Sequence, residues 1–211
     1  MSELKSCFKE SASYLFLRNP VLVLGLVIGQ LAAGVGTLQN AAALSITYFF
    51  VVVPTLVFAS LFGKKLPGWL KVVVYALISA LMLVPSYFIS GTISATIFDS
   101  AGIYPALLAV STVPVVYSSK IAENQKPLSA LAGGICIALG FAFTAIILGA
   151  AREFLGSGSI WGFRFAKPLF PAAKLPIWGF IFLGFMAALV NFIKDILKIP
   201  EETPAGGEEA K

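Results

Sequence analysis

Histidine is absent from all 211 residues, and there are only two cysteines, Cys7 and Cys136, without the spacing of a disulfide framework or a metal knuckle. Histidine-based catalytic triads, haem ligation by histidine and histidine-containing zinc sites are therefore excluded. The bland reading of the cysteines is a tail thiol and a small core residue. Charge is scarce too: Asp, Glu, Lys and Arg make up 12% of the chain, apolar residues reach 58%, and mean hydropathy is +0.92. A water-facing globule has nearer a quarter charged residues, so this is the composition of an integral membrane protein. Aromatic and basic residues do not interleave on any soluble face, which leaves the lipid bilayer as a partner and nucleic acid as none.

No charge falls within 19–63, 72–98, 100–119, 127–151 or 175–193. A spanning helix needs roughly 20 apolar residues, so the first of these runs crosses twice and the chain crosses six times. The first span follows a mixed-charge segment without a small-residue cleavage site and is expected to stay in the mature protein. Six crossings put both termini and the loops 64–71 and 120–126 on one side. That side holds eleven of the fifteen Lys and Arg, leaving Arg152, Arg164, Lys167 and Lys174 on the other. By the positive-inside tendency, the expectation is a multi-pass membrane protein with both termini cytoplasmic.

Two of the six spans are interrupted. The first, after Pro20, contains Gly25, Gly29, Gln30, Gly34 and Gly36; the fourth, from about Gly102, contains Pro105, Ser111, Thr112 and Pro114. Three spans per half insert the halves in opposite orientation, and paired broken helices point to a midplane site at their interface. The expected fold is all-α: six transmembrane helices as two inverted three-helix repeats, with the first and fourth helices interrupted. A cytoplasmic N-terminal segment (1–19) precedes the first repeat (20–98) and the second (99–197), and a disordered cytoplasmic tail (198–211) follows. The segment 156–174 is too polar to span and too aromatic to float free, which suggests an interfacial position.

Gln30, Ser111 and Thr112 are candidates for a midplane path, because unwound backbone and polar side chains belong against a cavity or a partner rather than lipid. The competing reading is packing alone, for which the Gly25 and Gly29 spacing suffices. Arg152 and Glu153 are read as a surface-anchored helix terminus or a contact to a neighbouring subunit, and Asp99 as a solvated loop acid. No catalytic residue and no metal site is expected, and a stand-alone membrane enzyme fares worst because the spans carry neither acid nor histidine.

The stretch 127–160 resembles the fifth-helix signature of membrane subunits shared by Rnf complexes (their E subunit) and the sodium-pumping NADH:quinone oxidoreductase (its D subunit). The residues that carry the resemblance are Leu128 to Leu131, then Arg152, Glu153, Gly156 and Gly158. Similarity extends through about 15–195, including Asn19, Thr37, Asn40 and Ala41 in the first span and Gly102 and Ile103 before the fourth. The resemblance implies a membrane subunit of an ion-translocating (Na+ or H+) electron transport complex in a prokaryotic cytoplasmic (inner) membrane. Its implied partners are a paralogous six-helix subunit and the flavin and iron-sulfur subunits of a redox-driven ion pump. It also implies a [2Fe-2S] cluster shared between paired subunits, with one cysteine given by the first span and one by the fourth span of each partner.

At those cysteine positions the chain has Gly29 and Thr112. No cofactor is therefore expected on this chain, and the alternative function is a cofactor-free family member acting as a transporter or assembly scaffold.

Overall fold

The computed structural model describes residues 21–22, 25, 27–120 and 126–196, without the side chains of 90–100, 112 and 120. Expectations for the N-terminal segment, Cys7, the loop 121–125 and the tail fall outside the described residues. Seven α-helices are described: α1 (Ile28–Gly34), α2 (Leu38–Phe62), α3 (Gly68–Ala101), α4 (Tyr104–Ala109), α5 (Thr112–Lys120), α6 (Pro127–Ser157) and α7 (Pro176–Ile196). A hairpin of two short strands, β1 (Ser159–Ile160) and β2 (Phe163–Arg164), separates α6 from α7.

Among the described residues, four helical stretches are long and apolar enough to cross a membrane: Leu38–Lys65, Gly68–Ile89, Pro127–Ser157 and Pro176–Ile196. The chain is thus a mostly helical membrane protein. Its helices end where local chemistry dictates. Thr37 caps α2 by accepting from the Asn40 amide at 3.2 Å, and Gly158, left-handed at φ 64°, closes α6. Asp99, read as a loop acid, instead falls within α3, which continues to Ala101, and the chain turns at Gly102, φ 58°. Pro54 sits inside α2 without ending it. The neighbouring Thr55 hydroxyl donates back to the Val51 carbonyl at 2.7 Å, in the turn that the proline interrupts.

The core is the antiparallel pair α2 and α6, the most extensive helix contact in the described chain. Glycines bring the two backbones together at both ends. A Cβ on Gly149 would lie 2.9 Å from both the Ala41 Cβ and the Thr37 carbonyl, and one on Gly134 would lie 3.3 Å from the Val53 Cα. Between them the Tyr48 and Phe141 rings stack at 4.1 Å. Hydrocarbon is as apolar as leucine, so close packing of this kind, rather than burial from water, holds membrane helices together. By contrast, α3 and α7 keep most of their large apolar side chains exposed, as lipid-facing helices do.

Candidate functional site

The first break is an abrupt one. Gly25 (φ 66°) and Val27 (φ 58°) both adopt left-handed backbone just before α1 begins. For a β-branched residue such as Val27 that conformation costs on the order of 1–3 kcal/mol, and strain of this size persists only where the surroundings impose it. Gly29 and Gln30 follow in the first turn of α1. Gly29 is exposed, with nothing from another part of the described chain within 4 Å of where a Cβ would stand, and Gln30 is half-buried. Within the described chain a close approach occurs at Gly34, where a Cβ would lie 2.8 Å from the Tyr104 ring of α4.

The second break separates α4 from α5 at Val110 and Ser111. Val110 is exposed, whereas Ser111 is buried and its hydroxyl makes no hydrogen bond among the described residues. Thr112 is the first residue of α5, and its side chain lies outside the described set. Gly29 and Thr112 thus occupy corresponding places, both in the first turn of a helical piece that follows a break, and the Gly34 and Tyr104 contact joins the interrupted segments. Three more buried hydroxyls, those of Thr47, Tyr48 and Ser118, also lack partners among the described residues. Sequence reasoning misses these three, for which the only signal is a polar residue inside a charge-free run.

Arg152 and Glu153 hold the other end of α1. Instead of lying at an exposed terminus, they are 1% and 2% exposed. The Arg152 guanidinium donates to five backbone carbonyls. Two close α1, Ala32 and Val35, each at 2.6 Å from Nη1. Three belong to the turn before α7: Ala173 at 3.1 Å from Nε, Lys174 at 2.7 Å and Leu175 at 3.2 Å from Nη2. Glu153 Oε2 accepts from the amide of Leu38, the first residue of α2, at 2.8 Å. Its Oε1 accepts from the Gly162 amide at 2.8 Å and the Ser159 hydroxyl at 3.2 Å. A helix end leaves carbonyls or amides without intrahelical partners, and here a fixed cation and a fixed anion supply them.

The spacing on α6 makes this possible. Gly149, Arg152, Glu153 and Gly156 fall on one helical face. The flanking glycines let Thr37 on one side and Lys174 on the other approach the backbone, since a Cβ on Gly156 would lie 2.8 Å from the Lys174 Cγ. From α7, Gly179 packs on the Ala32 carbonyl, 2.5 Å from where its Cβ would be.

These residues do not fit a thiolate-held iron-sulfur cluster. Gly29 has no side-chain donor, and a neutral hydroxyl such as that of Thr112 or Ser111 is a poor ligand for iron. Cys136 lies on α6, buried at 3% exposed. Among the described residues no three His, Cys, Asp or Glu side chains come together.

A family model described as "Rnf-Nqr subunit, membrane protein" matches residues 7–187. The chain is 28% identical over 200 residues to the E subunit of the ion-translocating oxidoreductase complex of Shewanella sp. (strain ANA-3), an alignment covering 87% of this chain and 86% of the relative. It is also 28% identical over 213 residues to the protein of the same name from Haemophilus influenzae (strain PittEE), covering 92% and 90%.

Proposed function

The chain belongs to the Rnf-Nqr family of membrane-protein subunits, and from this we propose that it is the membrane subunit of an ion-translocating oxidoreductase complex, coupling electron transport to ion movement. The observation that carries this reading is similarity to the E subunits of such complexes over nearly the whole of both chains. The two breaks support a further step, in which the six helices form two inverted three-helix repeats, 20–98 and 99–197, whose interrupted helices meet at midplane. The exposed Gly29 and Val110 then face a paralogous subunit. Flavin and iron-sulfur subunits complete the assembly. Any contact that Arg152 and Glu153 make with a neighbour passes through the break and the hairpin they hold.

The membrane is the inner membrane and both termini are cytoplasmic in this reading. Lys64 and Lys65 lie at the far end of α2 from the face that carries Arg164, Lys167 and Lys174, consistent with that orientation. In place of a thiolate at Gly29 or Thr112, this chain contributes a neutral polar path through Gln30, Ser111 and Thr112. Cation binding away from water needs fixed negative charge or converging carbonyls, so translocation is shared with other subunits.

Affinity purification in mild detergent from the native membrane, through a tag on the C-terminus, tests the proposal. Co-purification of flavin and iron-sulfur subunits is expected. Recovery of the chain alone, or only with a cysteine-free paralogue, would leave the transporter or scaffold reading.

A further inference from the structure

The hairpin between α6 and α7 has no part in the breaks, yet it is firmly built. Trp161 and Gly162 form its two-residue turn, both with positive φ (56° and 82°), as a type I′ turn requires. Asparagine or glycine is the usual choice at the first of these positions; a tryptophan there costs roughly 1–2 kcal/mol. The Glu153 bonds to Ser159 and Gly162 hold the strained turn in place. The tip is therefore positioned by the spanning helix itself.

Its chemistry is of one kind. Arg164, Lys167 and Lys174 are exposed, and no Asp or Glu occurs between Glu153 and Asp195. Phe163 and Phe165 are 70% and 73% exposed, Leu169 is 68% exposed, and the Trp161 indole is also exposed. Along β2 successive side chains point to opposite faces, so Phe163 and Arg164 leave on different sides. A flat protein surface would satisfy one face and strand the other. The boundary between acyl chains and headgroups satisfies both, and two helices long and apolar enough to span, Pro127–Ser157 and Pro176–Ile196, end and begin beside the hairpin.

We propose that the β1–β2 hairpin and the loop to α7 form a docking surface for anionic phospholipid. Its aromatic rings enter the acyl boundary, and Arg164, Lys167 and Lys174 meet the lipid phosphates. The inference depends on α6 and α7 spanning the membrane, not on the proposed redox complex. Each cation near an anionic surface strengthens attraction about fivefold.

The test places the full chain, with Trp69→Phe and Trp178→Phe so that Trp161 is the sole indole, in nanodiscs containing brominated phosphatidylglycerol or brominated phosphatidylcholine. Phosphatidylglycerol should quench Trp161 at least about fivefold more effectively at equal mole fraction. Arg164→Gln with Lys167→Gln and Lys174→Gln should abolish the preference while quenching by phosphatidylcholine persists. Equal quenching by the two lipids, or a preference that survives the triple substitution, would overturn the proposal. So would a Trp161 shielded from both lipids in the purified native assembly, which would mean that a protein covers the hairpin. Native mass spectrometry of the unaltered tryptophan background supplies a second reading: retained phosphatidylglycerol should fall in the triple variant, and unchanged retention counts against the proposal.

Discussion

Arg152 and Glu153 are neighbours in sequence and bind opposite ends of one chain break: the guanidinium donates to the carbonyls that end α1, and the carboxylate accepts the amide that begins α2. The intervening turn is held at both ends by a single rigid helix. Arg152→Ala strands four buried carbonyls, those of Ala32, Val35, Ala173 and Lys174, while that of Leu175 keeps the Trp178 amide. Each carbonyl left unsatisfied costs about 1–3 kcal/mol, and the expected result is a markedly lowered unfolding midpoint of the purified chain in detergent. Arg152→Lys should fall between, since an ammonium has three donors and no planar fork.

Glu153→Ala removes the acceptor from two backbone amides, those of Leu38 and Gly162, at roughly 1–3 kcal/mol for each left unsatisfied. The informative measurement is local. Hydrogen exchange should accelerate at these two amides while the middle of α6 stays protected. Glu153→Gln keeps a carbonyl oxygen and should preserve protection at one of them.

Gly179→Ala should displace α7 from α1, because the new methyl would lie 2.5 Å from the Ala32 carbonyl. Gly184→Ala on the same helix meets nothing within 4 Å and serves as the control. A thermal midpoint lowered by the first and unchanged by the second is the expected result; equal effects would mean that helix propensity, not contact, governs α7.

Gln30→Leu should impair coupled ion transport in the reconstituted complex without preventing its assembly, and normal transport would remove Gln30 from the path. Gly29→Ala has open space around it and should leave the stability of the isolated chain within about 0.5 kcal/mol.

Much of the frame was legible because a membrane imposes its rule on composition. The charge-free runs locate the long helices to within a few residues, except that α6 continues past the charge-free limit at 151 to Ser157. That extension is what hid the clamp. A charged pair beyond an apolar run looks like a surface terminus, and only the tertiary approach of α1, α2 and the turn before α7 shows that its partners are backbone groups, which carry no sequence signature. The glycines at 149, 156 and 179 were visible as small residues but not as contacts, since a contact requires knowing which backbone arrives. The hairpin was legible as a segment too polar to span. Its turn was not, because Trp161 is a poor choice for left-handed backbone and only Gly162 hinted at it.

The clamp has one more consequence, electrical in nature. A lone charge moved across a membrane potential exchanges about 2.3 kcal/mol per 100 mV. Arg152 and Glu153 sit on consecutive residues of α6 and sum to zero, so any rigid shift of that helix carries no net charge through the field. A break displaced together with α6 would therefore do almost no electrical work, and its geometry is set by hydrogen bonds rather than by voltage.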